Sequence, residues 1–410
     1  MDFKHKRRVG SDSDEYLDQS QENKPKKVLI TDIFFRKTFD FHNIIKARYK
    51  EYSPILAHRS VSLYSRFIIW LVYSSKAYKL RKSSYDVFEK DLIAILNHFK
   101  DSEVVYVPVE EDTTQLFYQF ISKNFFPNLY YNLPDERSFA TARDKKMMSV
   151  FCRQHKIPVP AEYTRESLQQ LQDQFKPIVA KPRTGSGASG LIFVEKKEDL
   201  DLLNKIDFDA YIVQEKIQNM RNVQGAFFLF DKGKCISYYG HRRIRTFPPS
   251  GGVTVFSAFD DNQTIKHTGI SLLEKLNWSG FAMIEFLYDG NTDTYKIIEI
   301  NPRLWGSFIL SEFSGTGFLQ NYFQTSLGKP IIKQSNVRND VYIRWFFPFD
   351  LINYVISFGR IENFWKFNRK NTCFINFSYS RIVRSLVAIP FLYFFYIKQF
   401  FKQILGFKKN

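Results

Sequence analysis

Two apolar runs past the middle of the chain are each interrupted by a carboxylate. Phe281-Ala-Met-Ile-Glu-Phe286 holds Glu285, and Ile297-Ile-Glu-Ile-Asn-Pro-Arg303 holds Glu299 and Asn301. Alternation along a strand puts Glu299 and Asn301 on one face. The runs are joined through Asp289-Gly-Asn-Thr-Asp293, and a neighbouring antiparallel strand would bring Glu285 beside the other two. Two carboxylates and an amide oxygen form a hard-oxygen set suited to Mg²⁺ bridging phosphates. Carboxylates on strands are often simply solvated, but these break runs that are otherwise apolar. Pro302 then turns the chain, and Arg303 brings a guanidinium next to the metal set.

At 410 residues the chain is long enough for two or three packed units. Its three cysteines (Cys152, Cys235, Cys373) form no C-x-x-C pair, which argues against a zinc knuckle, a thioredoxin-type motif or a disulfide scaffold. The charged start, followed by the polar and acidic stretch 11–21, lacks the apolar core of a secretory signal. No run reaches the ~18 apolar residues of a spanning helix, so the expectation is a reducing, cytoplasmic protein. Residues 1–24 read as a disordered arm. Strand-like Lys27–Asp32 and Val104–Val109 alternate with helical periodicity over Tyr85–Phe99 and from Asp112 to Lys123. This alternation predicts a small parallel sheet over residues 25–134, within which 60–75 is aromatic and unassigned. From 135 to 330 a helix is expected over Arg143–Lys156. Strands are expected at Pro177–Lys181, Tyr211–Ile217, Gly225–Phe230, Cys235–Tyr239, Gly280–Leu287 and Tyr295–Ile300.

Three further features stand in order before the carboxylates. Strand 177–181 leads into Lys181-Pro-Arg-Thr-Gly185-Ser-Gly187-Ala-Ser-Gly190, whose glycines let backbone N–H groups approach phosphate oxygens. The lysine precedes the glycines, so this is not a Walker A loop. Asp144-Lys145 taken alone reads as a solvated helix face. Val213–Ile217 taken alone is only a strand end, one whose backbone could pair with a base edge.

Together with the carboxylates, this succession resembles an ATP-grasp enzyme over residues 27–330, most specifically 140–307. It is closest in style to the carbamoyl-phosphate-synthetase-like, carboxylate–amine ligase branch. Segments resembling His241-Arg-Arg-Ile-Arg245, Pro249-Ser-Gly-Gly252 and Leu304-Trp-Gly-Ser307 recur there. The resemblance implies an α/β fold with an N-terminal Rossmann-like subdomain (25–134) and two α+β subdomains clamping ATP (135–330). It implies that Lys145 and Lys181 contact the phosphates, with Lys181 and Arg303 as the catalytic cations. Thr184, Gly185, Ser186, Gly187, Ala188, Ser189 and Gly190 would form a lid over the nucleotide. Gln214, Glu215, Lys216 and Ile217 would be the hinge at the adenine edge. Glu285, Glu299 and Asn301 would hold Mg²⁺, with Mn²⁺ as the alternative. The chain departs from many relatives at Asn222-Val-Gln224-Gly225, where they carry an acidic residue for the ribose hydroxyls.

Arg242, Arg243 and Arg245 are candidates for the acceptor carboxylate, because arginine binds a planar carboxylate with two parallel hydrogen bonds. The competing reading is a basic strand edge facing solvent. Gly251 and Gly252 would allow a tight turn lining the same cleft, and His241 reads as structural rather than as a base.

The net charge is +17, and residues 331–410 carry 13 Lys or Arg against 3 Asp or Glu, together with 21 aromatic residues. If 381–409 is helical, Arg384, Lys398, Lys402 and Lys409 line one side and most apolar residues the other, kinked at Pro390. Such a stripe suits an anionic membrane surface on the cytoplasmic face. The alternatives are a terminal helix docked on the catalytic unit and, less favoured, a nucleic-acid contact. The reading that follows is an ATP-dependent ligase joining a small carboxylate to an amine through an acyl phosphate. Rivals are an ATP-grasp enzyme with a thiol or phosphoryl acceptor and a membrane-peripheral nucleotide-binding scaffold without turnover.

Overall fold

Short β-rich runs alternate with helices in the first third of the chain, and this alternation builds a parallel sheet. The elements are β1 (Lys26–Ile30), α1 (Arg36–Arg48), β2 (Tyr52–His58), α2 (Leu63–Tyr73), β3 (Ala77–Lys79), α3 (Tyr85–His98), β4 (Glu103–Tyr106), α4 (Glu111–Lys123) and β5 (Leu129–Tyr130). The strand order is β3-β2-β1-β4-β5, parallel throughout. Both faces are covered: Val28, Ile30 and Val105 enter one core, while Leu29, Val104 and Tyr106 enter another. The unassigned aromatic stretch is α2. Helix α1 escapes a periodicity reading because Arg36, Lys37, Asp40 and His42 are among its buried residues. The computed structural model describes residues 24–59, 63–170, 175–185, 190–217, 223–247, 249, 253–365 and 371–374. The expected lid residues Ser186, Gly187, Ala188 and Ser189, the pair Gly251 and Gly252, and the helix expected over 381–409 lie outside them.

The helix expected over Arg143–Lys156 is two helices, α5 (Glu136–Arg143) and α6 (Lys145–Gln154). Asp144 divides them: its extended backbone ends the first, and its carboxylate caps the second by accepting from the amides of Lys146 and Met147. After α7 (Arg165–Gln170), the strands β6 (Ile178–Pro182), β7 (Ile192–Val194) and β8 (Tyr211–Glu215) form an antiparallel sheet in the order β7-β6-β8. It has a core of its own, centred on Ile178, Ala180, Val194 and Val213.

The remaining strands are β9 (Gln224–Asp231), β10 (Lys234–Phe247), β11 (Val253–Phe259), β12 (Gly280–Asp289), β13 (Thr294–Asn301), β14 (Tyr342–Arg344) and β15 (Thr372–Phe374). Helix α8 (Gln263–Lys275) lies between β11 and β12; α9 (Ile309–Phe313), α10 (Phe318–Ser326) and α11 (Leu351–Ile356) lie beyond β13. These strands form one sheet in the order β13-β12-β9-β10-β11-β14-β15. The β9–β10 hairpin turns at Lys232 and Gly233, both at positive φ, as a tight hairpin turn requires. One face of this sheet shares a core with the parallel sheet, in which Val28 and Phe41 join Phe227, Trp305, Tyr322 and Trp345. Residues on both sides of position 330 therefore contribute strands to the same sheet. Among the described residues, no helix is long and apolar enough to cross a membrane.

Candidate functional site

Strands β12 and β13 pair in antiparallel register with Glu285 opposite Glu299 and Met283 opposite Asn301. Paired residues share a face, so all four point the same way. Towards one end that face is core, with Phe281 and Met283 buried; towards the other it becomes the carboxylate pair. Gly225 on β9 stands in register with Glu285 on one side and His241 on the other, and a Cβ there would press on the His241 ring at 3.0 Å. Arg243 on β10 forms an ion pair with Glu285.

Three more cations converge from other elements. Lys145, the first residue of α6, donates to the Gly185 carbonyl at 2.8 Å and lies 3.2 Å from Glu299. Its amide donates to the Arg183 carbonyl at 2.9 Å. Arg183 in turn grips Asp144 with its guanidinium, so one carboxylate caps α6 and ties it to the end of β6. Lys181 on β6 faces the same cluster. Burial drives its pKa down to about 8, with Glu299 opposing and Lys145 adding to the fall. Arg303 donates to Asn301 Oδ1 at 2.8 Å and to Glu111 Oε1 at 3.0 Å. Burial works against its charge, but Glu110, Glu111 and Glu299 outweigh it and raise its pKa.

The carboxylates feel each other. Burial raises the pKa of Glu285, Arg243 opposes the rise and Glu299 adds to it. Two facing carboxylates in a largely buried setting need compensating positive charge. Lys145, Lys181, Arg243 and Arg303 supply it here. A divalent cation would fit this donor set: two carboxylate groups and one amide oxygen on adjacent strands, all hard ligands. Among the described residues, no group of three or more His, Cys, Asp or Glu side chains forms such a site, and the amide oxygen of Asn301, the third donor of the expected set, accepts here from Arg303.

The structure separates the expected arginines. Strand β10 pairs with both β9 and β11 at Arg242, but at Arg243 and Arg245 it pairs with β11 alone among the described residues. Arg242 is exposed, as the competing reading expected, and the other two are half-buried. Arg243 belongs to the carboxylate cluster. Arg245 lies past a bulge and donates to both oxygens of Asp350, at 2.7 and 2.8 Å. A guanidinium held by two bonds to a buried carboxylate is a structural tie. His241 is fully buried and stacks on Phe227 at 4.9 Å. Burial, then Arg243, lowers its pKa to about 3, which keeps it neutral and agrees with a structural role.

The residues expected to form the hinge are partly occupied within the protein. The Glu215 amide donates to Ala161 and the Lys216 amide to Pro177, each at 2.8 Å. Glu215 and Lys216 pair through their side chains with Lys296 and Glu195, while Gln214 and Ile217 are buried. Thr184 and Gly185 stand at the start of the glycine-rich loop and Gly190 at its end. Gly185 and Gly190 take φ of +103° and +76°, which favours glycine at both positions. A surface groove of about 810 Å³ behind α5 and α6 shares Arg183 with this region but does not include the carboxylates.

Sequence reasoning missed Glu111 and Asp350. Glu111 starts α4 just past the carboxyl end of β4, an expected location for functional groups in an open parallel sheet, and was masked by the capping signal at Asp112. Asp350 sits in the basic aromatic stretch, and nothing in its neighbours marks it as the partner of Arg245 and Arg344.

Residues 142–307 match the ATP-grasp domain family, and this stretch holds Lys145, Lys181, Arg243, Glu285, Glu299, Asn301 and Arg303. The chain therefore carries an ATP-grasp domain. It is 29% identical over 178 residues to the D-aspartate ligase of Enterococcus faecium, covering 37% of this chain and 42% of the ligase. It is 20% identical over 223 residues to the carbamoyl phosphate synthase large chain of Methanobrevibacter smithii, covering 50% of this chain but only 21% of that protein. The chain thus spans less than half the length of either relative. Biotin carboxylase of Campylobacter jejuni, solved as a β-γ-ATP complex, shares the fold. The two align with a TM-score of 0.60 at 17% identity, over 77% of this chain and 74% of the carboxylase.

Proposed function

We propose that this protein is an ATP-dependent ligase that activates a carboxylate as an acyl phosphate and joins it to an amine, releasing ADP and phosphate. The observation that carries this reading is the facing pair Glu285 and Glu299, ringed by Lys145, Lys181, Arg243 and Arg303. Its substrates would be ATP with Mg²⁺, a small carboxylate and an amine. Glu285, Glu299 and Asn301 would hold the metal, which when bound supplies charge neutralisation for the phosphate oxygens. Lys145 and Arg243 would then no longer be the main counter-charges of the two carboxylates and could face anionic oxygens. Lys145 and Lys181 would hold the phosphates beneath the loop from Thr184 to Gly190, and residues 214–217 would border the base.

The chemistry needs this density of charge. A carboxylate is a poor electrophile, and phosphoryl transfer to it brings two anions together. Preorganised cations at the meeting point lower that barrier without reorganising as the reaction proceeds. Arg303 is fixed by Asn301 and Glu111, which suits it to steady the transferring group. Arg243 is the arginine best placed for the acceptor carboxylate.

The test is ADP release from Mg-ATP with pooled carboxylates and amines, using Glu299→Gln as control. Release that needs both pools, and falls at least ~100-fold in the control, supports the ligase. Release with thiols in place of amines would make it an ATP-grasp enzyme of another acceptor class. ATP binding without turnover in any pool would favour a nucleotide-binding scaffold.

A further inference from the structure

Helix α2 is apolar almost all round, and its described side chains include a buried set and an exposed one. Ile69, Val72 and Tyr73 enter the core shared by the two large sheets. Leu63, Phe67 and Trp70 remain 86%, 57% and 59% exposed. At ~100° per residue these three fall within a sector of about 60°, and the rings of Phe67 and Trp70 lie 6.4 Å apart. An all-round apolar helix ordinarily means burial in a core or in lipid.

Along the chain on either side of this stripe, the charge has one sign. Between Glu51 and Asp86 the chain holds six Lys or Arg and no Asp or Glu. Arg81 and Lys82 are held by Asp91 and Asp32. Arg59, Arg66, Lys76 and Lys79 are exposed, and none of them has an ion pair among the described residues. Arg66 lies beside the stripe on the same helix.

We propose that the outer face of α2 docks on an anionic phospholipid bilayer, with Leu63, Phe67 and Trp70 entering the interface and the four unpaired cations facing the headgroups. Aromatic and aliphatic side chains beside Lys and Arg are what such an interface accommodates. Charge decides against two other occupants. Residues 375–410 hold six Lys or Arg and no acid, so laying them here would set like charges together. A second copy placed face to face would do the same with its own basic rim. This helix lies outside the ATP-grasp stretch 142–307, and the proposal stands whether or not the chain is a ligase.

The experiment uses the full chain, vesicles of phosphatidylcholine alone or mixed equally with phosphatidylglycerol, and brominated lipid as a depth-sensitive quencher. Of the five tryptophans, Trp278, Trp305 and Trp345 are fully buried, which leaves Trp70 and Trp365 exposed. Residues 375–410 contain none. Binding to the anionic vesicles with quenching lost in Trp70→Phe and kept in Trp365→Phe is the expected result. Replacing Phe67 and Trp70 together by Ser should weaken partitioning at least ~10-fold. The exposed control Phe358→Ser should not, and salt should weaken binding of the parent. Quenching that persists in Trp70→Phe, vesicle binding without any quenching, or equal loss in the Phe358 control would each overturn the proposal. So would a concentration-dependent dimer abolished by Phe67→Ser, since that would make the face a contact between copies.

Discussion

Burial and its neighbours leave Lys181 with a pKa of about 8, and this has a consequence for nucleotide binding. Below that value the ammonium is charged and attracts a polyanion; above it the charge is lost. A bound triphosphate favours the charged form and raises the pKa, so binding just above pH 8 should take up a proton. Affinity should fall as pH rises through about 8. Titration calorimetry of ATP in buffers of different ionisation heat would measure this uptake. Lys181→Arg, charged throughout the range, should abolish both the uptake and the pH slope. The loss of turnover expected for Glu299→Gln belongs to the same scale, because one carboxylate of the proposed metal set would lose its charge while its shape is kept. Both residues were legible in the sequence because each stands out locally: a lysine ending an apolar strand before a glycine loop, a glutamate inside an apolar run. Glu111 was not, because its partner Arg303 lies far along the chain and no local pattern records the pairing.

At the scale of elements, many strand and helix positions followed from periodicity, while α1 was hidden by its buried polar residues and other errors fell at single breaks. Asp144 ends one helix and caps the next, so a continuous apolar pattern from 143 to 156 concealed a break. Strand β10 was read as ending at Tyr239, yet it runs to Phe247 because its charged half stays paired with β11 as far as Val253. Gly280, at the start of β12, offers a test of how elements meet. Its φ is +81°, and a Cβ there would lie 2.3 Å from the carbonyl oxygen of Asn132, in the segment linking β5 to α5. Gly280→Ala is therefore expected to cost at least ~2 kcal/mol. Urea unfolding should show a lower midpoint with an unchanged slope. An unchanged midpoint would mean that the two segments separate without penalty.

For the whole molecule, the boundary read near 330 meets a core that does not respect it. Ile343, Trp345 and Phe349 are buried in the same cluster as Val28 and Phe227. The Trp345 indole donates to Asp40 on α1 at 3.1 Å, and Asp350 holds both Arg245 and Arg344. A chain ending at residue 330 would expose that core and leave Arg245 without its carboxylate, a loss known to be costly in buried pairs. Such a chain is expected to lack a cooperative thermal transition and near-ultraviolet dichroism, and a sharp transition would show that residues beyond 330 are dispensable. The amino-acid sequence by itself determined the class of fold and the meeting of two carboxylates on the central hairpin, because periodicity, turn residues and carboxylates in apolar runs act over a few positions. Only the tertiary structure decided which arginine joins the carboxylates and which becomes a tie, and where the packed unit ends. Those outcomes depend on pairings between residues up to some three hundred positions apart, such as Asp40 with Trp345, and burial gives such pairings their strength without any local pattern to announce them.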